Sequence, residues 1–443
     1  MSHLDRFKNI SVIGAAGKMG SGILLLNVLH ATKLMHHAPY LGQTFVINAI
    51  DQDFEHLQGL MNYLKEQLQK WAEKNIVELR KLYANRAHLI DNKDIIEAFV
   101  FEALSLVKPS INMEAAYHST LIFEAIIEDE TIKSSVLKQI NDNNPHEPFF
   151  LTNTSAIPIE VLNQKAQLDG RIIGCHFYNP PAVQKLIEVV ELKGGHPELS
   201  KIVDGFARHM DKLIVPSFDV AGFVGNGFFM REILFAEKMY NDLRKELDAQ
   251  QALLITDKVS HELMMRPMGI FQLVDYVGID VCVLIMKVMN TYLDEEIVSP
   301  LLTGLLEKGV RGGQHHDGSQ KEGLFKYVKG RPVELYDIDT DKYVALKAPA
   351  SKADEYLSVQ TKVYSWNQLS RSKYREQHLK EAFEHLANED SRGARLLKTY
   401  MAAMKALGLQ LKEDGVTAST DYVNAVMMNG FYHLYGPVND YNF

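Results

Sequence analysis

In the first half of the chain, short apolar runs bounded by Pro, Asn, Asp or Gly alternate with longer stretches of helical periodicity. The runs Phe7–Ile13, Thr44–Ile50, Leu121–Ile127, Phe149–Asn153 and Ile172–Cys175 predict buried strands. Ser21–Leu29, Phe54–Lys74 and Asp129–Ile140 predict the helices between them. This alternation predicts an α/β domain on a largely parallel sheet. Val77–Ser119 is too weakly punctuated to assign. Beyond Ser217 the period is helical, through Phe229–Leu247 and the two helices flanking the Arg-Pro-Met-Gly turn at 266–269. Only Gly330–Ala350 is polar and β-prone there.

The first strand runs directly into Gly14-Ala-Ala-Gly17-Lys-Met-Gly20, and a helix follows. A strand, a glycine turn and a helix form the context of a dinucleotide fingerprint. Gly14 permits the tight turn, Gly17 a close approach by a pyrophosphate, and Gly20 close helix–strand packing. The spacing is GxxGxxG, one residue longer than the usual GxGxxG, and a purely structural turn is the alternative. The second strand ends on Asp51, which can accept hydrogen bonds from both hydroxyls of a ribose. Asp53 follows and no Arg does, so a 2′-phosphate is repelled and NAD is favoured over NADP. Ligands of open α/β sheets collect at the carboxyl ends of strands. Gly14, Asp51, Glu128, Asn153, Ser155 and His176 all fall there in this reading, although Ser155 also suits a cap on the short helix after Pro158. His30–Gln43 reads as an insertion, and His30, His36 and His37 as part of a solvated loop rather than a metal site.

The segment RIIGCHFYNPPAVQKLIEVV (171–190) places His176 at the end of one apolar run and Glu188 in the next. On adjacent strand ends the carboxylate can hold the imidazole in one tautomer and stabilise its cation, as a general base requires. A structural His–carboxylate pair is the alternative.

A length of 443 residues suggests two to four domains. The net charge of −9, with Lys and Arg scattered singly, argues against a nucleic-acid partner. No apolar stretch reaches the roughly 18 residues of a membrane span. The N-terminus MSHLDRFKNI lacks an apolar signal core, so no signal peptide is expected. Cys175 and Cys282 lie in apolar surroundings and suit a reducing, cytoplasmic location.

FEAIIED, TNTSAIP, HFYNPPAVQKLIEVVE and DVAGFVGNG, in that order after a dinucleotide turn, resemble the NAD-dependent L-3-hydroxyacyl-CoA dehydrogenases. The likeness runs from about Ile10 to about Tyr327. It implies a Rossmann-type domain followed by a helical domain, NAD as cofactor and an acyl-CoA as substrate. The implied activity is reversible oxidation of (S)-3-hydroxyacyl-CoA to 3-oxoacyl-CoA, in fatty acid β-oxidation or butanoate-type metabolism. It implies that His176 takes the hydroxyl proton, paired with Glu188, that Ser155 holds the substrate oxygen, and that Asn226 helps hold the substrate carbonyl. It further implies that Asp51 binds the adenosine ribose, that Glu128, Lys133 and Asn179 contact the nicotinamide half, and that Lys74, on the arm after Asp51, meets CoA. Two departures bear on substrate choice: Gly227 stands where the family has an Arg, and Gln67 where the arm has a Ser.

Near the C-terminus the helical grammar repeats. Ala394–Leu407 parallels the helix that begins at Asn226, and Asp421–Tyr441 parallels Val259–Tyr276. Ala394 falls where Asn226 stands, so the second copy lacks its chemistry. The expected division is a nucleotide-binding domain at 1–215, a helical domain at 216–328, a linker or hairpin at 329–350, and a second, degenerate helical domain at 351–443. On this reading the helical half is duplicated, chance likeness of two amphipathic helix pairs being the alternative, and the chain is either a monomer with an internal pseudo-dimer or a homodimer. Two other readings stand beside the leading one: a dehydrogenase of another 3-hydroxy acid or thioester, and a catalytically silent nucleotide sensor.

Overall fold

The computed structural model describes residues 3–315 and 318–441. One unit ends at Asp219 and the other begins at Val220.

The first unit carries eight strands: β1 (Asn9–Ile13), β2 (Val46–Ile50), β3 (Val107–Ser110), β4 (Leu121–Glu124), β5 (Phe149–Thr152), β6 (Ile172–Phe177), β7 (Leu186–Val190) and β8 (Leu213–Ser217). They form one sheet in the order 3-2-1-4-5-6-7-8. Every neighbouring pair is parallel except β6 and β7. The first six follow the doubly wound order of dinucleotide-binding folds. β4, β5, β6 and β7 are buried at every position, as strands covered on both faces must be. The helices are α1 (Lys18–Met35), α2 (Phe54–Lys74), α3 (Ile76–Leu82), α4 (Asn92–Ser105), α5 (Glu130–Asn143), α6 (Ile159–Ala166) and α7 (Glu198–His209). The unassigned stretch 77–119 therefore supplies α3, α4 and the edge strand β3.

Two expectations change. The His30–Gln43 segment is not wholly a solvated loop, because α1 stays apolar for another turn and a half. His30 is completely buried on that helix, against the rings of Phe7, Phe206 and His209. His36 Nε2 lies 2.8 Å from Glu102 Oε2. That carboxylate also accepts from Tyr83 Oη at 2.7 Å and from Arg86. Exposure in the segment is confined to 37–39 and 41–43, on either side of the buried Tyr40. Second, β4 ends at Glu124, not Ile127. The Glu124 carboxylate accepts the Ile126 amide at 2.8 Å and turns the chain out of the sheet. Glu128 consequently stands four residues beyond the strand.

The second unit is helical apart from one small sheet. Its helices are α8 (Gly225–Leu243), α9 (Ala249–Lys258), α10 (Ile270–Val277), α11 (Ile279–Asn290), α12 (Pro300–Glu307), α13 (Lys347–Leu357), α14 (Trp366–Ser370), α15 (Arg375–Asn388), α16 (Arg392–Glu413) and α17 (Thr420–Gly430). Between α12 and α13, β9 (Phe325–Val328), β10 (Arg331–Asp337) and β11 (Lys342–Ala345) form an antiparallel sheet. Lys329 and Gly330 join β9 to β10, both with positive φ (49° and 75°), as a two-residue hairpin turn requires. The first and last helical stretches meet through buried polar groups. Glu232 on α8 pairs with Arg266 and accepts from Tyr400 Oη on α16 at 2.9 Å. Tyr435 Oη donates to the Met264 carbonyl at 2.9 Å.

Neither ring nitrogen of His30 has a hydrogen-bond partner. Burial, then the nearby His209 and Lys33, push its imidazole down to about 3 from the ordinary 6.5. The folded state binds fewer protons than the unfolded chain, so the neutral ring's contribution is complete above pH 6.5 and is lost as the pH falls towards 3. Replacing His30 by Leu should narrow the loss of unfolding free energy between pH 7.5 and pH 5 by about 2 kcal/mol, at roughly 1.4 kcal/mol per pH unit. Urea unfolding of both proteins at the two pH values measures this, and an equal loss in both would refute it.

Candidate active site

The carboxyl ends of β1, β2, β4, β5 and β6 lie along one edge of the sheet. The antiparallel β7 brings its amino-terminal half to the same edge. The site residues of the first unit collect there.

The glycine turn joins β1 to α1. Gly14 has φ +75°, and a Cβ there would lie 2.7 Å from the Ala125 carbonyl oxygen. A Cβ on Gly20 would lie 1.9 Å from the Gly14 oxygen, so only glycine allows α1 to approach the turn. Gly17 caps the first turn of α1 in extended backbone, and a Cβ there would meet the Gly14 oxygen at 3.2 Å. The longer GxxGxxG spacing therefore closes around the Gly14 carbonyl. The Gly14 and Ala15 amides bond to the Ile50 carbonyl at 2.9 and 3.0 Å. Asp51 Oδ2 accepts the Ala16 amide at 3.0 Å. The ribose-binding candidate thus also stitches the turn to the end of β2. Asp53 caps α2 through the His56 amide at 3.0 Å and keeps a second negative charge nearby. A backbone cradle at a helix N-terminus with a carboxylate at the next strand end fits an NAD pyrophosphate and ribose.

Beneath this rim lies a network of buried charge. Lys133 Nζ donates to Glu124 Oε1 at 2.6 Å and lies 3.4 Å from Glu128 Oε2. Thr152 Oγ1 donates to Glu124 Oε2 at 2.5 Å. Glu128 Oε1 accepts Thr154 Oγ1 at 2.7 Å and the amides of Ser155 and Ala156, both at 2.8 Å. Burial favours the neutral form of each group, but the ion pairs prevail. Lys133 is raised by its two carboxylates, and Glu128 is lowered by Lys133, the Thr154 hydroxyl and the two amides. Lys133, expected beside the nicotinamide half, is 1% exposed, and its charge holds these two carboxylates. Glu124, which sequence reasoning did not single out, is the centre of the arrangement. The Glu-Ala-Ile-Ile-Glu repeat of acids around a strand end was the available signal.

Asn153 Oδ1 accepts the Phe177 amide at 2.8 Å, so the side chain expected near the cofactor braces β6 beside His176. His176 and Glu188 are directly opposite in the β6–β7 register. Their Nδ1 and Oε2 atoms are 3.4 Å apart, with Glu188 fully buried and His176 8% exposed. Tyr178, also not anticipated, donates its hydroxyl to the same Glu188 oxygen at 3.0 Å. Asn179 follows, half-buried, at the start of the loop to β7. Lys212 Nζ holds that loop through the carbonyls of Pro181 (2.6 Å) and Gln184 (2.5 Å).

Ser155 lies in the loop after β5, its hydroxyl 3.4 Å from Glu128 Oε1. Lys74 is exposed at the end of α2. Asn226 is at the start of α8, in the second unit. A Cβ on Gly227 would lie 3.3 Å from Leu411 Cδ2 of α16. The position where the family carries an Arg therefore faces the added C-terminal helix, which leaves little room for a side chain. Arg231, one turn along α8, donates to the Gly227 carbonyl at 2.8 Å and pairs with Glu295 at 2.6 Å. Among the described residues, no group of three or more His, Cys, Asp or Glu could hold a metal ion.

Residues 9–220 match the NAD-binding domain of 3-hydroxyacyl-CoA dehydrogenases, and residues 222–322 match their C-terminal domain. The chain belongs to the 3-hydroxyacyl-CoA dehydrogenase family. It is a member of the NAD-dependent oxidoreductases of that type, and its cofactor is NAD. It is 31% identical over 277 residues to the mitochondrial hydroxyacyl-coenzyme A dehydrogenase of Sus scrofa, covering 62% of this chain and 77% of that protein. A probable 3-hydroxybutyryl-CoA dehydrogenase of Bacillus subtilis is 29% identical over 309 residues, 69% of this chain and 93% of that one. The 3-hydroxybutyryl-CoA dehydrogenase structure from Escherichia coli K12 shares the fold over 97% of this chain and 90% of its own, with a TM-score of 0.62 at 18% identity.

Loss of the Asp51 carboxylate in Asp51→Ala should weaken NAD binding about 10- to 100-fold, or roughly 1.5–3 kcal/mol, and narrow the preference over NADP. Calorimetric titration with both nucleotides checks this, and an unchanged preference would remove Asp51 from the ribose site.

Proposed function

We propose that this enzyme oxidises (S)-3-hydroxyacyl-CoA to 3-oxoacyl-CoA reversibly, with His176 as the general base. The observation that carries the reading is the His176–Glu188 pair, set across one antiparallel register at the edge that also bears the glycine turn and Asp51. Oxidation of a secondary alcohol needs a proton acceptor, a fixed oxygen and a hydride acceptor in line. NAD supplies the hydride acceptor when bound. His176 accepts the hydroxyl proton, and Glu188 orients the ring through Nδ1 and stabilises the imidazolium. Ser155 and Asn226 hold the substrate oxygen and carbonyl. Gly14, Gly17, Gly20 and Asp51 hold the adenosine and pyrophosphate end. Glu128 and Asn179 contact the nicotinamide half, while Lys133 and Asn153 keep that region in shape. Lys74 meets the CoA phosphates. The relatives' names point to fatty acid or butanoate-type metabolism. The two buried free thiols suit a reducing cytoplasm. No described helix is long and apolar enough to cross a membrane. The internal repeat supports a monomer whose second helical module takes the place of a partner.

His176→Gln should lower turnover about 10²- to 10⁴-fold, the usual worth of a general base, while NAD affinity stays within about twofold. Initial rates and nucleotide titration test this, and full turnover in the variant would overturn the assignment. NADH oxidation should be fast with 3-ketoacyl-CoA thioesters of one chain-length class and negligible with free acetoacetate. Preference for the free acid would instead favour a dehydrogenase of another 3-hydroxy acid. NAD binding with no turnover on any of these substrates would favour the sensor.

A further inference from the structure

Of the imidazole and the phenol beside it, the phenol is the closer to Glu188 Oε2. The Tyr178 hydroxyl lies 3.0 Å from it and His176 Nδ1 lies 3.4 Å from it. The tyrosine ring also packs on the histidine, with centroids 4.8 Å apart. We propose that Tyr178 is a positioning residue for the reaction: it takes a share of the Glu188 carboxylate and so limits how strongly that acid acts on His176. The proposal rests on His176 being the base.

The register places Tyr178 where it can do this. The β6–β7 and β7–β8 registers set Val215, Gly174, His176 and Tyr178 beside Glu188 on its face of the sheet. Among these only the histidine and tyrosine titrate. The helix α6 covers this face, with Ile159 against Gly174. Its Glu160 is directed to Asn163 and Gln164, and Asp219 is taken up by the Ile159 and Glu160 amides. Burial, followed by the Glu188 charge, pushes the Tyr178 phenol well above its ordinary value, so it remains a neutral donor across the working pH range.

A carboxylate that loses a neutral donor carries more unshared charge and stabilises a neighbouring cation more. In Tyr178→Phe the imidazolium should therefore hold its proton to higher pH. The neutral base is the reactive form, so activity is lost as pH falls, and the acid limb must move upward. The test is the pH profile of kcat/KM for 3-hydroxyacyl-CoA oxidation at saturating NAD, for the parent and for Tyr178→Phe. We expect the acid limb to rise by about half to one pH unit, with the KM for NAD nearly unchanged. A merely structural role would lower Tm or kcat without moving the limb. The histidine Cε1–H resonance, assigned by its absence in His176→Gln, reports the same titration without turnover and should shift in the same direction. An unmoved limb and resonance, with His176→Gln inactive, would overturn this inference and leave the base intact. An active His176→Gln would overturn both.

Discussion

The structure turns on one reversal of strand direction. β6 enters the sheet parallel to β5, and β7 returns beside it, so residues twelve apart in sequence become direct neighbours. That single antiparallel register sets the imidazole of His176 against the carboxylate of Glu188. A fully buried carboxylate without partners is costly, and His176 and Tyr178, from the facing strand and its loop, are among the groups that meet that cost here. Asn153 braces the strand from the other side, and Lys212 closes the loop from below. His176, the proposed base, is therefore held by secondary structure rather than by a flexible loop, which suits a group whose position would decide the rate.

The nucleotide edge is built on a related principle. Lys133 lies between Glu124 and Glu128, and the resulting charge balance lets three ionised side chains share a buried space. Removing the lysine would leave two carboxylates facing each other, so its importance is independent of any contact with cofactor. The same carboxylates gather Ile126, Thr154, Ser155 and Ala156, tying the β4 loop to the β5 loop. Asp51 does the equivalent for the glycine turn. In the proposed site, binding and structural duties coincide at Asp51 and Glu128, so a substitution at either should affect both.

Much of this was legible in the chain. Glycine spacing, strand-end acids and the apolar runs around His176 and Glu188 carry local physical constraints that need no tertiary context. The boundaries failed where a tertiary contact decided them. β4 stops at Glu124 because its carboxylate takes the Ile126 amide and is held by a lysine nine residues on, and α1 runs past Leu29 because aromatic residues from distant segments bury His30. The segment 77–119 gave no clear periodic signal because large apolar residues also stand on its exposed faces, Val77 and Phe101 among them. Tyr178 escaped notice for a different reason: it acts on another side chain, and such a role appears only when the register is known. Gly227 lies beside α16, where a Cβ would already meet Leu411 Cδ2 at 3.3 Å, a contact that the sequence alone does not reveal.

The most direct test of the account is a crystal structure of the enzyme with NAD and a 3-ketoacyl-CoA. The account predicts His176 Nε2 within about 2.6–3.2 Å of the C3 oxygen, with Nδ1 still directed at Glu188. A C3 oxygen held by another side chain, with His176 turned away from the nicotinamide, would contradict it.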